Sequence, residues 1–421
     1  MKILTSIFLF SLKWSLCLFF LGACSTDADN KMAGEHEVEQ KQPIEEETPV
    51  EEIGLKNVNP STYIGANISP LLDNEKYMAI HRKEFNANQA LFYAGFGGWP
   101  EPESINLKNF NAIINWMHDN NVSPHVHMLV GPNFYMPDWL KNSNWSNEEL
   151  DMHLKNLIYG ILDANNNAAK VDVWNIANEL FEQDGTYLSQ ENMLWNQLGF
   201  EEDASGLTGE DKINDQHPIF IRKAFTYARE KTDKLLEYRD YLIESSNPDN
   251  GWDKKQLAVY QLLKHMLNSK IPIDAVGIQG HNDVGNVDWL AEEKGVKEAV
   301  AKFKALGLEV YITELDVGAK DQIWTEALAE QQKVDYYMYI KEALDGGADR
   351  IYTWGIQDGL DTGWRTEERP LPWDEKLEKN LHTMELRKRW KTLKHNNHLI
   401  VSSLGMLTTN GIDFFRYHPE S

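Results

Sequence analysis

Cysteine is almost absent from this chain of 421 residues, and the two that occur, Cys17 and Cys24, both lie in the extreme N-terminal segment. Whatever folds after them has no thiol, which excludes disulfides, a cysteine nucleophile and zinc ribbons. Basic charge is also short: 41 Lys and Arg face 65 Asp and Glu, a formal net charge of −24. Nucleic-acid phosphates would be repelled, so no nucleic-acid partner is expected. A Gly-rich phosphate loop is missing too, because Gly97-Gly98 stands before Trp99-Pro100 instead of opening a helix. No repeat of solenoid period is visible. No His/Asp/Glu set stands at metal-ligand spacing, so neither a metal nor a cofactor is expected.

What is present begins with a targeting segment. Lys2 supplies a positive start and an apolar run, interrupted by Lys13, reaches Leu21. It closes with Leu21-Gly22-Ala23-Cys24, which resembles a bacterial lipobox. On that reading residues 1–23 are a lipoprotein signal peptide and Cys24 is lipidated, and the protein is exported to an outer membrane or cell surface and held there by lipid. A plain signal peptide or a single membrane anchor is the alternative. From Asp27 to Glu52 ten acidic residues face only Lys31 and Lys41, with few apolar side chains. Such a segment cannot bury enough surface to offset its ordering entropy, so residues 24–56 read as a flexible acidic tether.

The remainder is 42% apolar and 11% aromatic over the whole chain, enough for a substantial core. Short β-rich runs alternate with amphipathic stretches. Strands are expected at Tyr63–Ser69, Ala90–Ala94, His125–Val130, Val171–Ile176, Leu235–Arg239, Ala275–Gln279, Glu309–Thr313 and Arg350–Ile356. Helices are expected near Glu75–Phe85, Asn109–Asn120, after Ser146, Ile219–Glu230, Lys254–Leu267, Trp289–Leu306, Glu326–Leu344 and Glu385–Leu393. Ser146 and Glu149 have the spacing of a capping box. A polar insertion, Glu201–His217, follows the fourth strand. Eight β-then-α units predict a (β/α)₈ TIM barrel over residues 57–394, with a doubly wound open sheet as the rival. Residues 395–421 form a C-terminal tail to which the sequence assigns no role.

Catalytic groups of such a barrel are expected where strands end. The run VDVWNIANEL, 171–180, breaks from apolar residues into Asn178-Glu179. Strand three supplies His125 and His127, strand six Gln279 and His281, strand seven Glu314 and Asp316, and strand eight Trp354. Each has an ordinary alternative: Glu179 opening a helix, Asp316 capping one, the histidines and tryptophan packing in a core. Two glutamates converging from different strands suit glycoside hydrolysis, with carboxyl groups roughly 5 to 5.5 Å apart for retention.

These segments resemble glycoside hydrolase family 10, the retaining endo-β-1,4-xylanases. Trp174-Asn175-Ile176-Ala177-Asn178-Glu179 is similar to the family's Trp-Asp-Val-Val-Asn-Glu, and Thr313-Glu314-Leu315-Asp316 matches its nucleophile strand. Gln279-Gly280-His281 and Trp354-Gly355-Ile356-Gln357-Asp358 match two more signatures, and Arg239-Asp240-Tyr241 stands where the family has Asn-Asp-Tyr. The resemblance implies Glu179 as acid/base and Glu314 as nucleophile, oriented by His281, which Asp316 holds. It implies Asn178 and His127 on the sugar at the cleavage point, Trp354 beneath it, Gln279 in support, and Trp364 as a second tryptophan or a packing residue. His125 matches no family ligand and reads as core. The family's Glu-Asn-x-x-Lys on strand two is missing, and Gly131-Pro132 replaces its Trp-His. The implied activity is cleavage of xylan by double displacement. Another β-glycan as substrate is one alternative and a non-catalytic glycan-binding lipoprotein is another.

Overall fold

The structure is a computed structural model that describes residues 53–57, 61–68, 72–246, 253–286, 294–359 and 365–380. Eight parallel strands form its centre: β1 Tyr63–Ile68, β2 Ala87–Leu91, β3 Ser123–His127, β4 Val173–Asn178, β5 Leu235–Asp240, β6 Ala275–Ile278, β7 Glu309–Gly318 and β8 Arg350–Thr353. Each pairs in parallel with the next, and β8 pairs with both β7 and β1, so the sheet closes on itself. Closure decides for the (β/α)₈ barrel over the open sheet. Helices α1 Glu75–Glu84, α2 Lys108–Asp119, α3 Asn147–Asp163, α4 Ile219–Arg229, α5 Asp253–Asn268, α6 Val296–Lys304 and α7 Glu326–Gly346 pack around it. The helix expected at Glu385–Leu393 and the tail lie outside the described residues, as do the leader, Cys24 and most of the tether. Among the described residues no helix is long and apolar enough to cross a membrane.

Local chemistry accounts for the elements. The first turn of α3 is closed by a reciprocal capping box: Glu149 N–H donates to Ser146 Oγ at 3.2 Å and Ser146 N–H donates to the Glu149 carboxylate at 2.9 Å. Such a cap contributes about 1 kcal/mol. Behind it Leu150, Leu154, Leu157, Ile158 and Ile161 recur at helical spacing and are buried, each adding roughly 1.5 to 3 kcal/mol by leaving water. All of β4 is buried, as expected of a parallel strand covered on both faces.

Of the expected boundaries that move, three have a visible cause. Strand β2 begins three residues early, at Ala87, because Asn88 and Gln89, polar but fully buried, belong to it. Strand β3 stops at His127, and Val130 continues only as an isolated bridge to Ala177. Strand β7 runs on to Gly318, five residues past the expected end, because its tail pairs with the short strand His281–Asp283. The insertion contains an antiparallel pair, Phe200–Glu202 with Gln216–Pro218.

The barrel interior is unusually polar. His125, Glu237 and Arg239 are fully buried there, with Tyr311 and Tyr352. Room for them comes from glycine: a Cβ at Gly277 would stand 2.0 Å from Glu237 Oε1.

Candidate active site

The strand ends carry the reactive groups to one mouth. Glu179 follows the last residue of β4, and its left-handed backbone (φ 56°) turns the chain sharply out of the strand. No helix starts there; Phe181 instead bridges to Tyr187. The Glu179 N–H donates to the Arg239 carbonyl at 3.0 Å, and the Glu314 N–H to the Gln279 carbonyl at 2.8 Å. Both acids are therefore fixed by backbone to a neighbouring strand. Gln279 Nε2 donates to Glu179 Oε1 at 2.7 Å.

Glu314 is the more enclosed of the two. Its Oε1 accepts from Arg239 NH1 at 3.0 Å, and its Oε2 lies 3.1 Å from His281 Nε2. His281 Nδ1 is 2.9 Å from Asp316 Oδ2. Asp316 sits inside β7, which rules out the helix-cap alternative. His127 Nδ1 is 3.0 Å from Asn175 Oδ1 and 2.9 Å from Arg239 NH1. Asn178 is fully buried beside Glu179, and its side chain, after Gln279, helps to hold that carboxyl down by hydrogen bonding.

These environments drive the two acids apart. Burial raises the Glu179 carboxyl above its ordinary value; the Gln279 hydrogen bond opposes that and the Glu314 charge adds to it. Burial alone would also raise Glu314, but His127, the His281 hydrogen bond and the Arg239 charge outweigh it and hold it at about 2. One carboxyl raised beside one held low is the direction of difference that a general acid and a nucleophile require. Burial alone would lower His281, yet Asp316 and Glu314 push it up to about 10, so it stays an imidazolium across the neutral range.

Aromatic rings continue outward from this centre. Trp354 meets His127 at 5.3 Å and His281 at 5.9 Å between centroids, both edge to face. Tyr93 meets His127 at 5.8 Å and stacks on Tyr135 at 5.4 Å. Phe96 and Phe134 pack edge to face against Tyr135 at 6.2 and 5.0 Å. They remain 61% and 71% exposed, so the ridge ends in two open phenyl groups at the rim.

The sequence of the family described as "Glycosyl hydrolase family 10" matches residues 55–385. The chain belongs to that family. Among its relatives, the endo-1,4-beta-xylanase B of Thermotoga neapolitana is 28% identical over 72% of this chain and 79% of its own length. The exoglucanase XynX of Acetivibrio thermocellus is 26% identical over 75% of this chain but only 27% of its own length. The crystal structure of xylanase 10B from Thermotoga petrophila in complex with xylobiose superposes with a TM-score of 0.66, at 24% identity, over 80% of this chain and 98% of that one.

The family 10 site also uses residues that sequence reading passed over. Arg365 is buried and donates to Asp316 Oδ1 at 2.8 Å, bracing the carboxylate that faces His281. A Cβ at Gly318 would stand 2.3 Å from its guanidinium, so that glycine clears its path. Nothing in the spacing of Arg365 announces this. Gln89 and Glu237 bind the Arg239 guanidinium and owe their role to the barrel closing around them, and His125, already named on strand three, joins them. His125 is a core residue, as expected, but a charged-network one. Trp364 lies outside the described residues.

One cluster departs from the expectation of no grouped metal ligands: Asp203, His217 and His265 bring ligand atoms within 4.8 Å of one another. Their positions in sequence, 14 and 48 residues apart, conceal it. His265 Nδ1 accepts the Ala204 N–H at 3.0 Å, so its Nε2–H donates to Glu201 at 3.0 Å. His217 Nε2 donates to Asp203 at 2.9 Å, which leaves Nδ1 to the Tyr187 hydroxyl at 2.5 Å. Every imidazole lone pair is already engaged, and the group acts as a hydrogen-bonded staple of the insertion.

Buried histidines set the acid limit of the fold. Burial pushes His81 and His127 down to about 3 and His125 to about 4. They take up protons on unfolding between about pH 6.5 and those values. Their stabilisation is full above about pH 6.5 and is lost as pH falls, each by up to about 1.4 kcal/mol per pH unit. His281 acts oppositely: its contribution is present below about pH 6.5 and lost as pH rises through about 10. The melting temperature by circular dichroism is expected to peak near pH 6 to 7 and fall steeply towards pH 4. A flat profile from 6.5 to 4 would contradict the burial of these rings.

Proposed function

We propose that this family 10 hydrolase cleaves internal β-1,4-xylosidic bonds of xylan with retention, Glu179 serving as acid/base and Glu314 as nucleophile. The observation that carries the reading is the opposed pair, a buried Glu179 raised above its ordinary value and bound to Gln279, and a Glu314 held low and bound by Arg239 and His281. In the first step Glu314 attacks the anomeric carbon while the Glu179 proton passes to the leaving oxygen; in the second a water gives its proton to Glu179 and displaces Glu314. The family resemblance gives Asn178 and His127 as contacts of the reacting sugar and Trp354 as its floor, and Trp354 packs edge to face on His127. The relatives named endo-1,4-beta-xylanase favour xylan.

A second reading, the same chemistry on another β-glycan, is favoured by strand β2. Where the family has Glu-Asn-x-x-Lys on this strand the chain has Asn88-Gln89-Ala90-Leu91-Phe92-Tyr93 and no Lys, and a site without those hydrogen bonds discriminates differently among sugars. Hydrolysis of a polysaccharide panel with product sizing tests both. Xylan is expected to yield short oligosaccharides early; cleavage of a glucan with xylan untouched selects the second reading. Attachment to a membrane through lipid on Cys24 is also proposed, supported by Leu21-Gly22-Ala23-Cys24 and the acidic segment after it. Release of a Cys24→Ala chain into the soluble fraction is the expected result, and unchanged membrane association would refute it.

A further inference from the structure

We infer that Arg239 is a positioning residue for the second half of the reaction: its guanidinium, seated against the Glu314 carboxylate, speeds release of the covalent glycosyl-enzyme. This rests on Glu314 being the nucleophile. The position departs from the family pattern, which has Asn there, and the side chain is fully buried. Its Nε donates to Glu237 Oε1 at 3.0 Å and its NH2 to Gln89 Oε1 at 2.8 Å and Glu237 Oε2 at 3.2 Å. NH1 is turned to Glu314 Oε1 at 3.0 Å and His127 Nδ1 at 2.9 Å. Gln89 is held in turn by the Thr313 carbonyl at 2.6 Å, one residue before the nucleophile. The guanidinium is thus clamped from the barrel interior, with one edge presented to Glu314. It cannot move away when the charge on Glu314 changes.

That rigidity gives the contact opposite effects on the two steps. When Glu314 bonds to the anomeric carbon its negative charge disappears, so a fixed cation on Oε1 opposes the attack. When water displaces it, the C–O bond breaks and the electron pair returns to the carboxylate, so the same cation stabilises the charge that develops. An interaction that strengthens only as Glu314 leaves accelerates departure, and a charge-assisted hydrogen bond of this kind is worth on the order of ten- to a hundredfold in rate. Glu237 completes the device by neutralising the rest of the guanidinium, which lets Arg239 be buried at all.

The test compares wild type with Arg239→Asn and with the charge-neutral double variant Glu237→Gln/Arg239→Gln, which spares the fold an unpaired buried carboxylate. Each is mixed with a dinitrophenyl β-xylobioside in a rapid-reaction experiment, and the glycosyl-enzyme is weighed by intact mass. Both variants are expected to show a burst of dinitrophenol, accumulated glycosyl-enzyme on Glu314, and a steady rate about ten- to a hundredfold lower. Titration of the Glu314 carboxyl by ¹³C NMR, which needs no substrate, should move upward in both. If a folded double variant shows no burst and an unmoved Glu314 titration, the inference is overturned. If wild type fails to cleave the xylobioside while the titration still moves, the sugar assignment fails and the role of Arg239 stands.

Discussion

Glu314→Gln is expected to reduce hydrolysis of an aryl β-xylobioside on the order of 10⁴-fold or more, the scale on which removal of a covalent nucleophile is felt. The amide occupies the same volume between His281 and Arg239 but cannot attack the anomeric carbon. It also leaves two cations, Arg239 and the His281 imidazolium, facing a neutral group. The decisive measurement uses Glu314→Ala with azide. A small anion entering the vacated space should restore turnover and yield a glycosyl azide of inverted anomeric configuration, since only one displacement then occurs. Wild-type rates in the glutamine variant, or an azide product with retained configuration, would remove Glu314 from the role of nucleophile.

Glu179→Gln is expected to lower the rate on natural-type glycosidic bonds by about 10² to 10⁴, the usual contribution of general acid catalysis. The loss should shrink for dinitrophenyl substrates, whose leaving group departs without a proton. The pH profile gives a sharper criterion. On the proposed roles Glu314 must be ionised and Glu179 protonated, so kcat/KM is expected to rise as pH climbs past about 2 and to fall as pH passes the raised value of Glu179. With glutamine at 179 the alkaline fall should vanish while the acid limb stays in place. An alkaline limb that survives the substitution would assign the proton to another group.

Much of this was legible before any coordinates. The eight β-then-α units, the break of VDVWNIANEL into Asn178-Glu179, and Thr-Glu-Leu-Asp at 313–316 carry period and polarity in consecutive residues. A parallel strand buried on both faces must be an apolar run, and a polar end must open on a site. Strand β2 was misplaced for the same reason reversed: Asn88 and Gln89 look like loop residues, yet they are buried in the strand by partners on β1, β5 and β7. His281, Asp316 and Trp354 could be named from their motifs, but their distances could not.

Consecutive residues thus determined the barrel, the two acids and the strands that carry them, because strand periodicity and terminal polarity are local properties of a chain. Only the tertiary structure decided how those acids differ. The low value of Glu314 depends on His127, on His281, 33 positions away, and on Arg239, 75 away, and Arg239 depends on Gln89, 150 positions away. Arg365 reaches Asp316 across 49 residues. Charges act through space at a few ångströms whatever their separation along the chain, and that nearness exists only once the eighth strand has closed on the first.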